Sequence, residues 1–168
     1  GEAGVLDADA QVELVDGDVV DMAPMRSRHA SVVGRLNAVL ARAVGDRALV
    51  WCQLPLVLGD QSAPEPDLML LAPRADYYRQ AHPVAADVRL LIEVSDTTSD
   101  YDRRVKLPLY ARHGVAEVWI IDLDHGLVHR CRKPQADAYA DTETSAEPGS
   151  MVPAALPGVL IDLTGVLA

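Results

Sequence analysis

Two short apolar runs carry carboxylates in places where a carboxylate is costly. Residues 65–71, EPDLMLL, set Asp67 at the head of a strand-like segment, and residues 90–96, LLIEVSD, enclose Glu93 between Ile92 and Val94. A lone carboxylate in such a run costs several kcal/mol unless it is paired, protonated or bound to a cation. Strand alternation sends Glu93 and Ser95 to one face and Ile92 and Val94 to the other. If the two strands adjoin, Asp67 and Glu93 converge, and close carboxylates call for a proton or a divalent cation between them. Mg2+ (or Mn2+) suits such a site, since it takes one or two carboxylates, waters and substrate phosphate oxygens. The stretch DYDRRVKLPLY then offers Asp102, Lys106 and Tyr110 at i, i+4 and i+8 on one helix face. Lys106 is the cation such a site needs for a reacting phosphate. Glu13 is a candidate third acidic ligand, and His29 a candidate base at the start of a helix. Ser95 either serves the site or satisfies a backbone group.

The elements that must position these groups are legible around them. Asp16-Gly17 between VELV and DVVDMAP signals a two-residue hairpin. A helix follows over about Ser27 to Val44, with Val32, Val33, Leu36, Val39, Leu40 and Ala43 on one stripe and Gly45 as its stop. Arg28, Arg35 and Arg42 recur at heptad spacing on another face, where Arg35 and Arg42 are either solvated or contact phosphates. ALVWCQ, PLVLG and PDLMLL read as three short strands between Pro and Gly-Asp signals. The polar stretch 73–87 has room for a short helix at Tyr77–Tyr78. RLLIEVSD is too continuously apolar for an exposed strand and belongs in the centre of a sheet. The next helix runs from Ser99 or Asp100 to about His113 and bends at Pro108. EVWIIDL and LVHRCRK form a further strand pair, with Trp119 in the core and Tyr110 packed beneath Lys106. Weak strands follow at AYADTET and GVLIDL. The reading is an α/β (α+β) fold, a mixed sheet flanked by helices.

At 168 residues the chain reads as one domain, 1–168, with a core over about 12–133 and an acidic C-terminal tail over 134–168. No apolar run reaches the roughly 18 residues of a membrane span, and the acidic start lacks a signal peptide's basic and apolar regions. Cys52 and Cys131 stand apart, so neither a zinc site nor a disulfide is expected, and a cytoplasmic setting fits. The net charge of −10 argues against a nucleic-acid binder until its distribution is read. Seven acids and no base precede Arg26, and five acids and no base follow Lys133, leaving 15 bases against 13 acids between. The excess sits at the ends.

VELVDGDVVDMAP, the His of RSRHASVVGRL, PEPDLMLL, LLIEVSD and DRRVKLPLYARHGVAEVWIIDL together resemble the Uma2 family, also called DUF820. Its members are described as restriction endonucleases of the PD-(D/E)XK nuclease fold. The likeness covers about Val12 to Leu123. It implies that Pro66-Asp67 is the PD element and Glu93-Val94-Ser95 the (D/E)XK element, with Ser95 where a nuclease carries Lys. The lysine is then expected on the following helix, as Lys106. The expected activity is Mg2+-dependent hydrolysis of DNA phosphodiesters, by a homodimer that cuts both strands and docks through the segment after Pro134. Two other classes fit the same residues. One is a non-catalytic binding module on a nuclease-derived fold; the other is a metal-dependent hydrolase of a small phosphate compound, which tolerates net acidity better.

Overall fold

The computed structural model describes residues 12–22, 25–96 and 99–167. Its first elements are the hairpin strands β1 (Val12–Val15) and β2 (Asp18–Asp21), paired with Val15 opposite Asp18. Asp16 and Gly17 both take positive φ there, 51° and 88°, the geometry that an Asp-Gly hairpin turn supplies. Helix α1 (Ser27–Val44) buries Val32, Val33, Leu36, Leu40 and Val44, the stripe expected from a 3.6-residue period. Gly45 closes it at φ 52°, its N–H donating to the Ala41 carbonyl.

Six strands form the central sheet in the order β3-β4-β5-β6-β7-β8: β3 (Leu49–Cys52), β4 (Leu68–Leu71), β5 (Val88–Ser95), β6 (Glu117–Asp122), β7 (Leu127–Gln135) and β8 (Ala138–Ser145). Only β5 and β6 run parallel; every other neighbouring pair is antiparallel. These two occupy the middle of the sheet, and every residue of β5 except Arg89 is buried. Buried central strands read as unbroken apolar runs, which is why LLIEV and VWII lack alternation. The parallel pair requires a crossover, here one helical segment: α2 (Ser99–Tyr101), a π turn (Asp102–Lys106) and α3 (Leu107–Arg112). A final short pair, β9 (Ser150–Met151) and β10 (Ile161–Asp162), stands apart from the main sheet.

Each face of the sheet has its own core. Leu68, Leu70, Leu90, Ile92, Val94, Trp119 and Ile121 pack toward α1; Met69, Leu71, Leu91, Val118 and Ile120 pack toward Leu109, Tyr110 and Ala111 of α3. Residues after Pro134 are built into this architecture. β8 pairs with β7, while Leu156, Val159, Ile161, Leu163 and Val166 complete the α1-side core. Arg35 pins that end by donating to the carbonyls of Gly165 at 2.6 Å and Thr164 at 2.8 Å, so it is not a free phosphate contact. The apolar residues that suggested a docking segment are thus used within the protomer.

Three local expectations are corrected. PLVLG is not a strand: Leu56 and Leu58 are buried, but their N–H groups bond Pro64 and Ser62 within the loop, and only a single bridge, Val57 to Val84, is ladder-like. Tyr77 and Tyr78 form a turn with φ of 50° and 58°, not a helix. The Tyr78 hydroxyl donates to the Ala72 carbonyl and Arg74 lies over its ring, which fixes that backbone. The strain expected at Pro108 appears one turn earlier. Proline cannot donate to residue i−4 and crowds its carbonyl, and the helix widens so that the Leu107 N–H reaches the Asp102 carbonyl. No helix among the described residues is long and apolar enough to cross a membrane.

Candidate active site

Antiparallel pairing of β4 with β5 sets Leu68 opposite Ile92, which brings the residue before β4 level with Glu93. Two hydrogen bonds lock this register. The Asp67 N–H donates to Glu93 Oε2 at 3.3 Å, and the Val94 N–H donates to Asp67 Oδ2 at 2.8 Å. The two carboxylates therefore meet at the start of one strand and near the end of its neighbour. Alternation along β5 puts Leu91 on the α3 face, so Glu93 and Ser95 face the crossover helix.

That helix supplies the counter-charges. Lys106 Nζ lies 3.4 Å from Glu93 Oε1 and 3.1 Å from Glu13 Oε2. The Tyr110 hydroxyl donates to Glu93 Oε1 at 2.5 Å, and Ser95 Oγ donates to Asp102 Oδ2 at 2.7 Å. Glu13 arrives from β1, which the loop 61–65 holds in place: the Ala63 N–H bonds the Leu14 carbonyl and the Glu65 N–H reaches Glu13 Oε2 at 3.3 Å. From the opposite face, α1 brings His29 Nε2 to 3.1 Å from Asp67 Oδ2. Asp67 Oδ1 accepts from the Gln53 side chain at 3.3 Å. Gln53 itself holds a left-handed backbone, φ 49°, an uncommon state for a side chain of its kind.

The acids, the lysine, the serine and the histidine proposed for the site reach this junction, whereas Arg35 is taken up by the carbonyls of Thr164 and Gly165. Asp67, Glu93, Lys106, Glu13 and His29 share direct contacts, and Ser95 joins one step away through Asp102. Gln53 gives no sequence signal, since its position follows from the turn after β3. Tyr110 does: its i+4 spacing from Lys106 marks the same helix face. Its ring packs in the core as expected, and its hydroxyl is a direct partner of Glu93.

Charge is unevenly balanced here. Glu13, Asp67, Glu93 and Asp102 are between 3% and 9% exposed, against one equally buried ammonium, Lys106. Burial pushes Glu93 up to about 8, despite the opposing pull of Lys106, with the Asp67 and Asp102 charges adding to the rise. Burial alone lowers Lys106, but the Glu93, Glu13 and Asp102 carboxylates outweigh it and hold the ammonium protonated. His29 is raised chiefly by its hydrogen bond to Asp67, against the opposing effect of burial. Tyr110 is raised by burial and by Glu93 and stays a donor.

A divalent cation would find oxygen ligands at this junction. Those oxygens and the surplus of buried negative charge suit a hard cation in kind. Among the described residues, no three His, Cys, Asp or Glu groups already surround one point. The Lys106 ammonium stands between Glu13 and Glu93, so a cation entering at Asp67 and Glu93 shares Glu93 with it. The fit is therefore one of chemistry and charge.

Comparison with known proteins agrees in fold. A solved structure, described as "a putative nuclease belonging to DUF820" from Anabaena variabilis ATCC 29413, superposes with a TM-score of 0.73 at 17% identity, over 99% of this chain and 94% of that one. No curated protein matches the chain. The family model for Uma2, described as "Putative restriction endonuclease", matches residues 5–164. That match spans nearly the whole chain and every element of the acidic junction: this protein belongs to the Uma2 family.

Proposed function

We propose that this protein is a divalent-cation-dependent phosphodiesterase acting on DNA, with Mg2+ or Mn2+ held by Asp67 and Glu93. The observation that carries the reading is the locked Asp67–Glu93 pair, buried beside a single ammonium at the junction of β4 and β5. A bound divalent ion supplies Lewis-acid polarisation of a phosphate and a lowered pKa for an attacking water. The chain's own residues do the rest. Lys106 neutralises charge growing on the phosphoryl oxygens, and Glu13 and Tyr110 set its position and that of Glu93. His29 orients Asp67 from α1 and is the candidate proton acceptor. Glu13, proposed from sequence as a third metal ligand, is here the closest partner of Lys106 and serves the lysine first.

A non-catalytic module remains the rival reading, favoured by one observation: Glu93 and Lys106 already satisfy each other. Incubation of supercoiled plasmid and single-stranded DNA with Mg2+ or Mn2+ separates the two. Wild type should nick or linearise the DNA and Glu93→Ala should leave it intact; an intact plasmid under every metal supports the rival. Hydrolysis of a small phosphate ester assayed alongside, with both DNAs left intact, points to the third class.

Two-strand cleavage is simplest with two symmetry-related sites, so a homodimer is the expected assembly. Light scattering should return twice the 18.1 kDa chain mass. A monomer mass at tens of micromolar removes the dimer and leaves the site reading untouched.

A further inference from the structure

Among the described residues, two polar atoms near the acidic junction, His29 Nδ1 and the Tyr101 hydroxyl, are buried without a hydrogen-bond partner, and only the second belongs to a side chain with no other polar contact. The Tyr101 hydroxyl is shielded from water and makes no hydrogen bond. A buried donor without a partner is destabilising, and such groups are rare enough in folded proteins to need a cause. The charges that act on this phenol are those of the junction itself: Glu13, Lys106, Asp102 and Glu93. The Tyr101 hydroxyl thus lies in the field of Lys106 and its carboxylates and donates to none of them.

The helix geometry explains how it comes to be there. Tyr101 and Lys106 are five residues apart, and in an α-helix such positions lie about 140° apart round the axis. A π turn closes residue i on i+5 and brings them nearly into line. Residues 102–106 form such a turn, closed by the Leu107 N–H on the Asp102 carbonyl. The π turn next to Pro108 thus sets positions 101 and 106 closer to one helix face than an α-helix would.

We propose that the Tyr101 hydroxyl is a substrate-binding donor, which hydrogen-bonds a non-bridging phosphate oxygen of the bound nucleic acid. The inference rests on the phosphodiester reading of this site and adds a residue that neither family motif includes. Substrate supplies the acceptor that the fold withholds.

The test compares wild type with Tyr101→Phe, both as full chains. A fluorescein-labelled DNA duplex and a labelled single strand are each titrated in Ca2+, a hard cation that takes the same oxygen ligands, and the ligand-free proteins are melted in parallel. Loss of one hydrogen bond should weaken DNA binding about three- to tenfold. The ligand-free melting temperature should stay level or rise, because the variant removes a buried, unpaired hydroxyl. Equal affinities for the two proteins overturn the assignment of Tyr101 alone. A lower melting temperature for Tyr101→Phe gives the hydroxyl a structural partner and overturns it as well. A wild type that binds neither this duplex nor the labelled single strand overturns the phosphodiester reading, and this inference with it.

Discussion

Replacing Lys106 by Met is expected to lower the stability of the metal-free protein by about 3–5 kcal/mol, the usual cost of stripping a buried ion pair of one partner. Methionine fills much of the same volume, so the loss is electrostatic and not a cavity effect. Lys106 is the ammonium in contact with both Glu13 and Glu93, and all three side chains are at most 10% exposed. Without it, Glu13 must take up a proton or draw in water, and Glu93 loses the ammonium that favours its ionised form. For a chain of this length the loss corresponds to a fall in melting temperature of roughly 6–20 °C. Urea titration of wild type and Lys106→Met checks it. Adding Glu13→Gln to Lys106→Met should recover part of the loss, because the second change removes one of the stranded charges. A single variant as stable as wild type shows that Lys106 is not the counter-ion of the junction.

The second large effect is one of pH. Glu93 has its folded pKa raised from the ordinary 4.5 to about 8, mainly by burial. A carboxyl whose proton is held more tightly in the folded state contributes stability that is complete below about 4.5 and lost as pH rises through about 8. His29, raised above 6.5 by Asp67, works in the same direction, losing its contribution as pH climbs through its folded value. Lys106 and Tyr110 are raised from values that are already alkaline and stay protonated across this window. Metal-free stability should therefore fall as pH rises from 5 to 8, with Glu93 a principal contributor. Glu93→Gln should flatten that slope. The quantity to compare is the difference between the two proteins at each pH, since titrating groups elsewhere then cancel. A slope shared equally by both proteins places its origin outside the junction.

Much of this arrangement can be read from the chain because its strongest signals are local. The Asp16-Gly17 hairpin and the Ser27–Val44 helix follow from turn chemistry and a 3.6-residue period, and both occur at the expected residues. Glu93 is conspicuous because it interrupts an apolar strand, and its partner Asp67 because a strand begins there. The shared helix face of Asp102, Lys106 and Tyr110 follows from their spacing. What sequence could not supply is register and reach. Asp67 meets Glu93 through strand pairing across 26 residues, and Glu13 meets Lys106 only because a separate hairpin docks on the loop before β4. PLVLG has the composition of a strand, but Pro55 withholds a donor and the loop's own hydrogen bonds compete successfully. The π turn is the least legible feature. Proline predicts a disturbance within this helix, but which carbonyl the widened turn uses depends on packing against β5. Tyr101 and Gln53 enter the site through such backbone details and leave no pattern in composition or period.

The proposed cation site at Asp67 and Glu93 differs from a mere buried ion pair with Lys106. The difference is tested most directly by thermal unfolding of wild type and Glu93→Gln, each with and without Mn2+, at pH 8. A cation that binds only the folded state stabilises it by about 2.7 kcal/mol at a hundredfold excess over its dissociation constant. Wild type should gain that increment, and gain less at pH 5, where protons compete for the same oxygens. Glu93→Gln should gain little, while its metal-free form melts at or above the wild-type temperature because a raised, repelled carboxyl has been removed. The contrary result is a wild type indifferent to Mn2+ at both pH values, with Glu93→Gln strongly destabilised. That outcome would make Glu93 the structural partner of Lys106 and leave no cation site at the junction.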